Sequence, residues 1–130
     1  MIIYIASPYS VYTDKLDAVN AQIDVFAALL AAGHEPVAPL LSHYVDLRYP
    51  TSYERWMQWC LAIMRRCDAV LRLPGESAGA DEEVARARLL GKPVYWSVDE
   101  AIRLGDQRTL KRMTLIYRVE SEEKVSIELG

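Results

Sequence analysis

A chain of 130 residues fits one domain, and 52% hydrophobic with 25% charged residues is a globular balance, not a disordered one. The formal net charge of −3 argues against non-specific duplex binding, which relies on a basic face, but leaves a small anionic substrate open. The two cysteines, Cys60 and Cys67, fall in one helical pattern about 10 Å apart along its axis, too far for a disulfide. Without a CxxC or a Cys/His cluster, no metal site is expected.

The opening "MIIYIASPYS" lacks a basic n-region, and no apolar run reaches membrane-spanning length. The expectation is a cytoplasmic protein in a reducing compartment, with neither a membrane nor a nucleic-acid polymer as partner. One domain is expected over 1–130, with a core over 1–97 and an extension over 98–130.

In chain order, "MIIYIA" is a β-rich apolar run broken by Pro8. Leu16, Val19, Ile23, Phe26, Leu29 and Leu30 then follow at helical spacing, with Gly33 in a C-cap position. "EPVAPLL" reads as a short strand whose two prolines point to an edge or to a strand cut short. "SHYVDLRYPTS" reads as a loop, "YERWMQWCLAIMRRC" as a helix and "AVLRL" as a third strand. A turn over 74–79 leads to a helix over 80–90 ended by Gly91, and "PVYWS" is a fourth strand. "VDEAIRLG" reads as a short helix, and "TLIYRVE" and "VSIELG" as a C-terminal β-hairpin. The order βαβαβαβ predicts an α/β Rossmann-like or flavodoxin-like three-layer sandwich on a mostly parallel sheet of four or five strands.

In such a sheet, ligands bind at the carboxyl ends of the strands. The loops leaving those ends, "SPYSVYT", "SHYVDLRYP" and "PGESAGA", are rich in Ser, Tyr, His, Arg and Gly, whereas the opposite loops look like plain caps. In "PGESAGA", Gly75 and Gly79 permit close backbone approach, and Ser77 suits the N-cap of a helix whose free N–H groups favour an anion such as phosphate. Three acids follow, Asp81, Glu82 and Glu83. At about 100° per residue, Glu83 shares a face with Ala80, Ala87 and roughly Val84, which should meet the sheet. Asp81 and Glu82 point outward, where acids simply suit a first turn. A carboxylate facing the sheet must be paired or used, so Glu83 is the candidate catalytic residue.

The segments "IYIASPYS", "LLAAGHEPVAPLLSH" and "CDAVLRLPGESAGADEEVARARLLGKPV" resemble the nucleoside 2-deoxyribosyltransferase superfamily, which includes deoxynucleoside 5′-monophosphate N-glycosidases. The most specific part is Ser77-x-Gly79-x-x-x-Glu83, and the likeness covers roughly residues 1–97. It implies an enzyme without a cofactor. Glu83 would be a nucleophile that attacks the sugar anomeric carbon and forms a covalent intermediate, as in retaining glycosidases. It also implies that Ser77 and Gly79 hold a 5′-phosphate and that Ser7, Pro8 and Tyr9 line the base and sugar pocket. One departure matters: the superfamily's usual Asp, near the sugar and leaving base, falls here on Cys60. Cys60 is then either a packed thiol or a break in the catalytic set, with Asp46 another acid at hand.

His43 follows the second strand at the active edge and joins the binding candidates, whereas His34 lies at the opposite edge. Tyr12 and Arg48 sit in active-edge loops; Trp56 and Trp59 read as core or subunit contacts, and Asp68 as structural. The leading function is an N-glycosidase or deoxyribosyltransferase acting on a nucleoside or its 5′-monophosphate. The alternative is a non-catalytic nucleotide-binding module on the same fold, and a flavodoxin-like or TIR-like interaction domain explains the sheet but not Glu83. The resemblance further implies a homodimer or homotetramer, so light scattering at micromolar concentration should read a species larger than a monomer; a monomer would overturn that expectation.

Overall fold

A computed structural model describes residues 1–105 of the chain. In order it runs β1 (Ile2–Ala6), α1 (Lys15–Ala31), β2 (Glu35–Val37), a 3-10 turn (Pro39–Leu41), α2 (Ser42–Arg48), α3 (Tyr53–Met64), β3 (Ala69–Arg72), α4 (Ala78–Leu89) and β4 (Val94–Tyr95). Residues 98–105 are helical. The expected C-terminal hairpin lies outside the described residues.

Among the described residues the strands form one sheet in the order β2-β1-β3-β4, with every pairing parallel. Ile3 pairs with both Pro36 and Ala69, and Ala6 pairs with Arg72. The edge position of β2 is where a strand containing a proline can sit, because one side of it owes no ladder hydrogen bonds. The α/β architecture read from the sequence is the observed one.

Alternation along β1 and β3 builds two cores. Ile3, Ile5, Ala69 and Leu71 face α1 and the 98–105 helix, with Leu29 and Ala101 packed on them. Tyr4, Ala6 and Val70 face the other way, against Met64 and Cys67 around the end of α3 and Ala80, Val84 and Ala87 of α4. Each large aliphatic side chain buried here contributes about 1.5–3 kcal/mol.

Two readings need correction. Residues 42–48 are helix, not loop. The segment carries no side-chain N-cap and buries none of its residues, so neither helical signal is present in the sequence. The second concerns α1, whose buried face is Ala18, Val19, Gln22 and Leu29. Leu16, Ile23 and Leu30 from the expected apolar stripe are 43%, 38% and 52% exposed. The small Ala18 and a hydrogen-bonded glutamine let α1 lie close on the sheet there, and Leu16, Ile23 and Leu30 turn outward.

Two glycines show different uses. Gly33 has φ +89° and open space around it, as a helix C-cap does. Gly75 has φ +115°, and a Cβ there would stand 2.8 Å from Pro8 Cγ, so the loop after β3 is packed directly on the loop after β1. Gly75→Ala is therefore expected to cost about 1–3 kcal/mol in urea denaturation, and Gly33→Ala, which is strained but not crowded, less. Equal losses would refute the crowding.

Candidate active site

A cavity of about 300 Å³ opens where the chain leaves β1 and β3 in opposite directions. Ligands bind at such a switch point in this class of sheet. Its wall combines Tyr4 from β1, Ser7 and Tyr9 from the following loop, His43 and Asp46 from α2, Trp56 and Cys60 from α3, Ser77 at the N-cap of α4, and Gly79 and Glu83 from α4. Six of the seven residues read from the sequence as substrate or catalytic candidates thus share one cavity wall. The seventh, Pro8, is buried and off the wall, and reaches the site through its contact with Gly75.

The α4 phase brings Glu83 inward, where it is 6% exposed. Burial pushes its carboxyl from 4.5 up to about 7; the facing Tyr4 hydroxyl and the Arg72 charge pull the other way, and neighbouring Glu82 adds to the rise. Its Oε2 is buried with no hydrogen-bond partner. The Tyr4 hydroxyl is also buried; it faces Glu83 and Cys60, yet closes no hydrogen bond of good geometry with either. Burial raises the Tyr4 phenol well above its ordinary range and pushes the Cys60 thiol up to about 11, so both remain protonated at neutral pH. Each buried unpaired polar group costs about 1–3 kcal/mol, and native proteins retain few of them. The floor of the cavity therefore presents two such groups, a carboxyl and a phenol, to whatever binds.

At the start of α4, Ser77 is extended and its Oγ accepts from the Ala80 N–H at 3.1 Å, the capping bond expected of it. Gly79 also serves helix packing, since a Cβ there would lie 3.3 Å from the Tyr53 hydroxyl and 3.5 Å from Met57 Sδ. Asp81 is not merely solvated. Although 70% exposed, it pairs at 3.0 Å with Arg72, which is 5% exposed. Glu82 is exposed.

Near α2, the Tyr9 hydroxyl and His43 Nδ1 lie 2.6 Å apart, and burial followed by the Asp46 charge raises the Tyr9 phenol. Asp46 Oδ1 accepts from Trp56 Nε1 at 2.8 Å and from the Thr51 N–H at 2.9 Å. These two bonds hold its carboxyl below the usual range, with Trp56 the larger cause. Trp56 is thus part of the wall, not simply a core or subunit contact. Tyr12 and Arg48 are not on the wall: Tyr12 offers its carbonyl to Lys15 at 2.6 Å, and the Arg48 guanidinium lies 5.8 Å from the Tyr49 ring centroid. His34 is buried, with Nδ1 3.2 Å from the N-terminal amine, and Asp68 accepts the Ile2 N–H at 2.8 Å, a structural role as read.

Three polar residues escaped the sequence reading. Gln22 is buried in α1; it donates to Ile5 O at 2.9 Å and Ser7 Oγ at 2.8 Å, and accepts from the Leu40 N–H at 3.0 Å. It thereby ties the loop after β1 to the segment after β2. Lys15 Nζ donates to the carbonyls of Tyr9, Ser10 and Tyr12 at 3.2, 2.9 and 2.6 Å and draws that loop together. Arg72 is the third. An arginine inside the apolar run "AVLRL" was a visible signal, because a buried guanidinium needs partners. Among the described residues, no group of three or more His, Cys, Asp or Glu is placed to hold a metal ion, and no helix is long and apolar enough to cross a membrane.

Residues 1–98 match the sequence profile of the family described as "Domain of unknown function (DUF1937)". The chain belongs to that family. No curated protein matches this DUF1937 chain. Among solved structures it is similar to a 2-deoxyribosyltransferase from Bacillus psychrosaccharolyticus, with 23% identity, a TM-score of 0.50, and coverage of 72% of this chain and 69% of that one. A 2-deoxyribosyltransferase from Leishmania mexicana is similar at 24% identity and TM-score 0.53, over 72% of this chain and 61% of that one. The CMP N-glycosidase BcmB of Clostridium botulinum aligns at 16% identity and TM-score 0.48, over 80% of this chain and 81% of that one. The likeness to the two 2-deoxyribosyltransferases establishes a shared fold and bears out, at that level, the resemblance read from the sequence.

The raised Glu83 carboxyl has a consequence for stability. Between 4.5 and about 7 the folded chain holds a proton that the unfolded chain releases, so this group lowers stability as pH rises through that window. Glu83→Gln removes the burden, and should stabilise the fold by about 3 kcal/mol at pH 8 and by almost nothing at pH 4. Urea denaturation at the two pH values checks this; an equal effect at both would mean that burial does not raise the carboxyl.

Proposed function

We propose that the chain breaks the N-glycosidic bond of a nucleoside or nucleoside 5′-monophosphate, by hydrolysis or by transfer to another base, with Glu83 as nucleophile. The observation that carries this reading is the buried Glu83 carboxyl, one oxygen unpartnered, on the wall of a switch-point cavity. The 2-deoxyribosyltransferase fold supports it. In the proposed reaction the ionised Glu83 oxygen bonds to the anomeric carbon as the carbon–nitrogen bond breaks. The bonding pair leaves with the base, which takes up a proton. Water or an acceptor base then attacks the same carbon, the ester to Glu83 breaks, and the carboxylate returns.

The neighbours suit these steps. Tyr4, held protonated, can donate to the carboxylate without competing as a base. Tyr9 and His43 offer a ring face and polar edge to a base or sugar. Asp46, held ionised, accepts from a substrate N–H or O–H. Ser77 and the α4 N-terminus favour the monophosphate as substrate form.

The second reading is a nucleotide-binding module without turnover. Its support is Cys60, a neutral thiol on the wall at the position read as the superfamily's usual acid.

Incubation with a panel of nucleosides and 5′-monophosphates, read by chromatography for free base, separates the two. The catalytic reading expects base release that falls by about 1,000-fold or more in Glu83→Gln. Its rate should rise with pH through the Glu83 titration near 7, because the ionised form attacks. Release unchanged by the substitution sinks the role of Glu83. Thermal stabilisation by a nucleotide without base release establishes the binding module instead.

A further inference from the structure

Arg72 is the buried cation that the reaction scheme does not use. Strand alternation places it with Val70 on the α4 side of β3, the side that also holds Glu83. Its Nη1 donates to the Leu73 carbonyl and its Nη2 to the Gly75 carbonyl at 2.8 Å and to Asp81 Oδ1 at 3.0 Å. One guanidinium therefore binds the strand end, the turn after it and the first turn of α4. Its Nε is buried and has no acceptor. A residue needed only to close a turn would not require a charge this deep.

We propose that Arg72 is a positioning residue for Glu83: it clasps the 73–81 segment onto the sheet and supplies the positive charge facing the nucleophile's carboxylate. This rests on the reading of Glu83 given above. The groups that face Glu83 are Tyr4 from β1, Cys60 from α3, Arg72 from β3 and Glu82 from its own helix. Tyr4 and Cys60 are neutral at pH 7 and Glu82 is negative, so Arg72 is the one cation in this set. Without it, a buried carboxylate beside a second acid loses the one cation of this set, although Lys15 and His43 line the same cavity. The fork also explains why Asp81 differs from Glu82. Asp81 is the outer anchor of the clasp, reaching from the surface to a guanidinium beneath it.

The test is the titration of the Glu83 carboxyl by carbon-13 NMR, with its signal assigned by its loss in Glu83→Gln. It is measurable whether or not the chain turns over a nucleoside, so failure of the proposed chemistry and failure of this inference read separately. The midpoint near 7 should rise by about one pH unit or more in Arg72→Met and stay near the wild-type value in Arg72→Lys, which keeps the charge. Amide exchange over residues 75–80 should quicken in both, because neither retains the fork. Asp81→Asn is the independent variant should Arg72→Met fail to fold. It keeps the cation and weakens the anchor, so exchange over 75–80 should quicken while the midpoint does not rise. A folded Arg72→Met with the wild-type midpoint overturns the inference, as does an Asp81→Asn whose exchange is unchanged.

Discussion

The pairing of β1 with β3 is the constraint on which the rest depends. Parallel register sets Ala6 beside Arg72, so the two strands end together and their loops emerge side by side. The chain then departs in opposite directions, to α1 on one face and to α4 on the other. This parting opens the cavity between Ser7 and Tyr9 on one side and Ser77 and Gly79 on the other. A slip of one residue between the two strands would put Tyr4 and Arg72 on opposite faces of the sheet, so Glu83 would lose one of the two.

The cavity floor follows from the same geometry. Strand alternation that buries Ile3 and Ile5 on one side must bury Tyr4 on the other, and helical phase that packs Ala80 and Ala87 carries Glu83 in with them. The Tyr4 hydroxyl and one oxygen of Glu83 are buried without a hydrogen-bond partner. The fold holds them in place through well-packed neighbours, and burial shifts the Glu83 carboxyl into the range of neutral pH.

The parallel sheet, the chain order of its elements and the inward turn of Glu83 were legible because each rests on a short-range rule: apolar runs, glycine caps and the spacing within one helix. Ser7, Tyr9, His43, Ser77 and Gly79 could be assigned to one edge for the same reason. What was not legible depends on partners distant in sequence. The roles of Gln22 and Trp56 are set by hydrogen bonds to Ser7 and Asp46, which no local pattern announces. The helical state of 42–48 was hidden because it lacks both a cap and a buried face. Arg72 was visible as an exception inside a strand, but its acceptors were not.

That uncapped, unburied α2 carries a further meaning. It supplies His43 and Asp46 to the wall while contributing little to the core, whereas Tyr4 and Glu83 sit on elements that the core cannot spare. Under the proposed function, the chain separates the part of the site that would carry the chemistry from the part that would meet the ligand. The exposed residues of α2 outside the His43 and Asp46 hydrogen bonds can be exchanged at small cost to folding, which makes this short helix, under the proposed function, the place for an engineer to begin altering ligand preference.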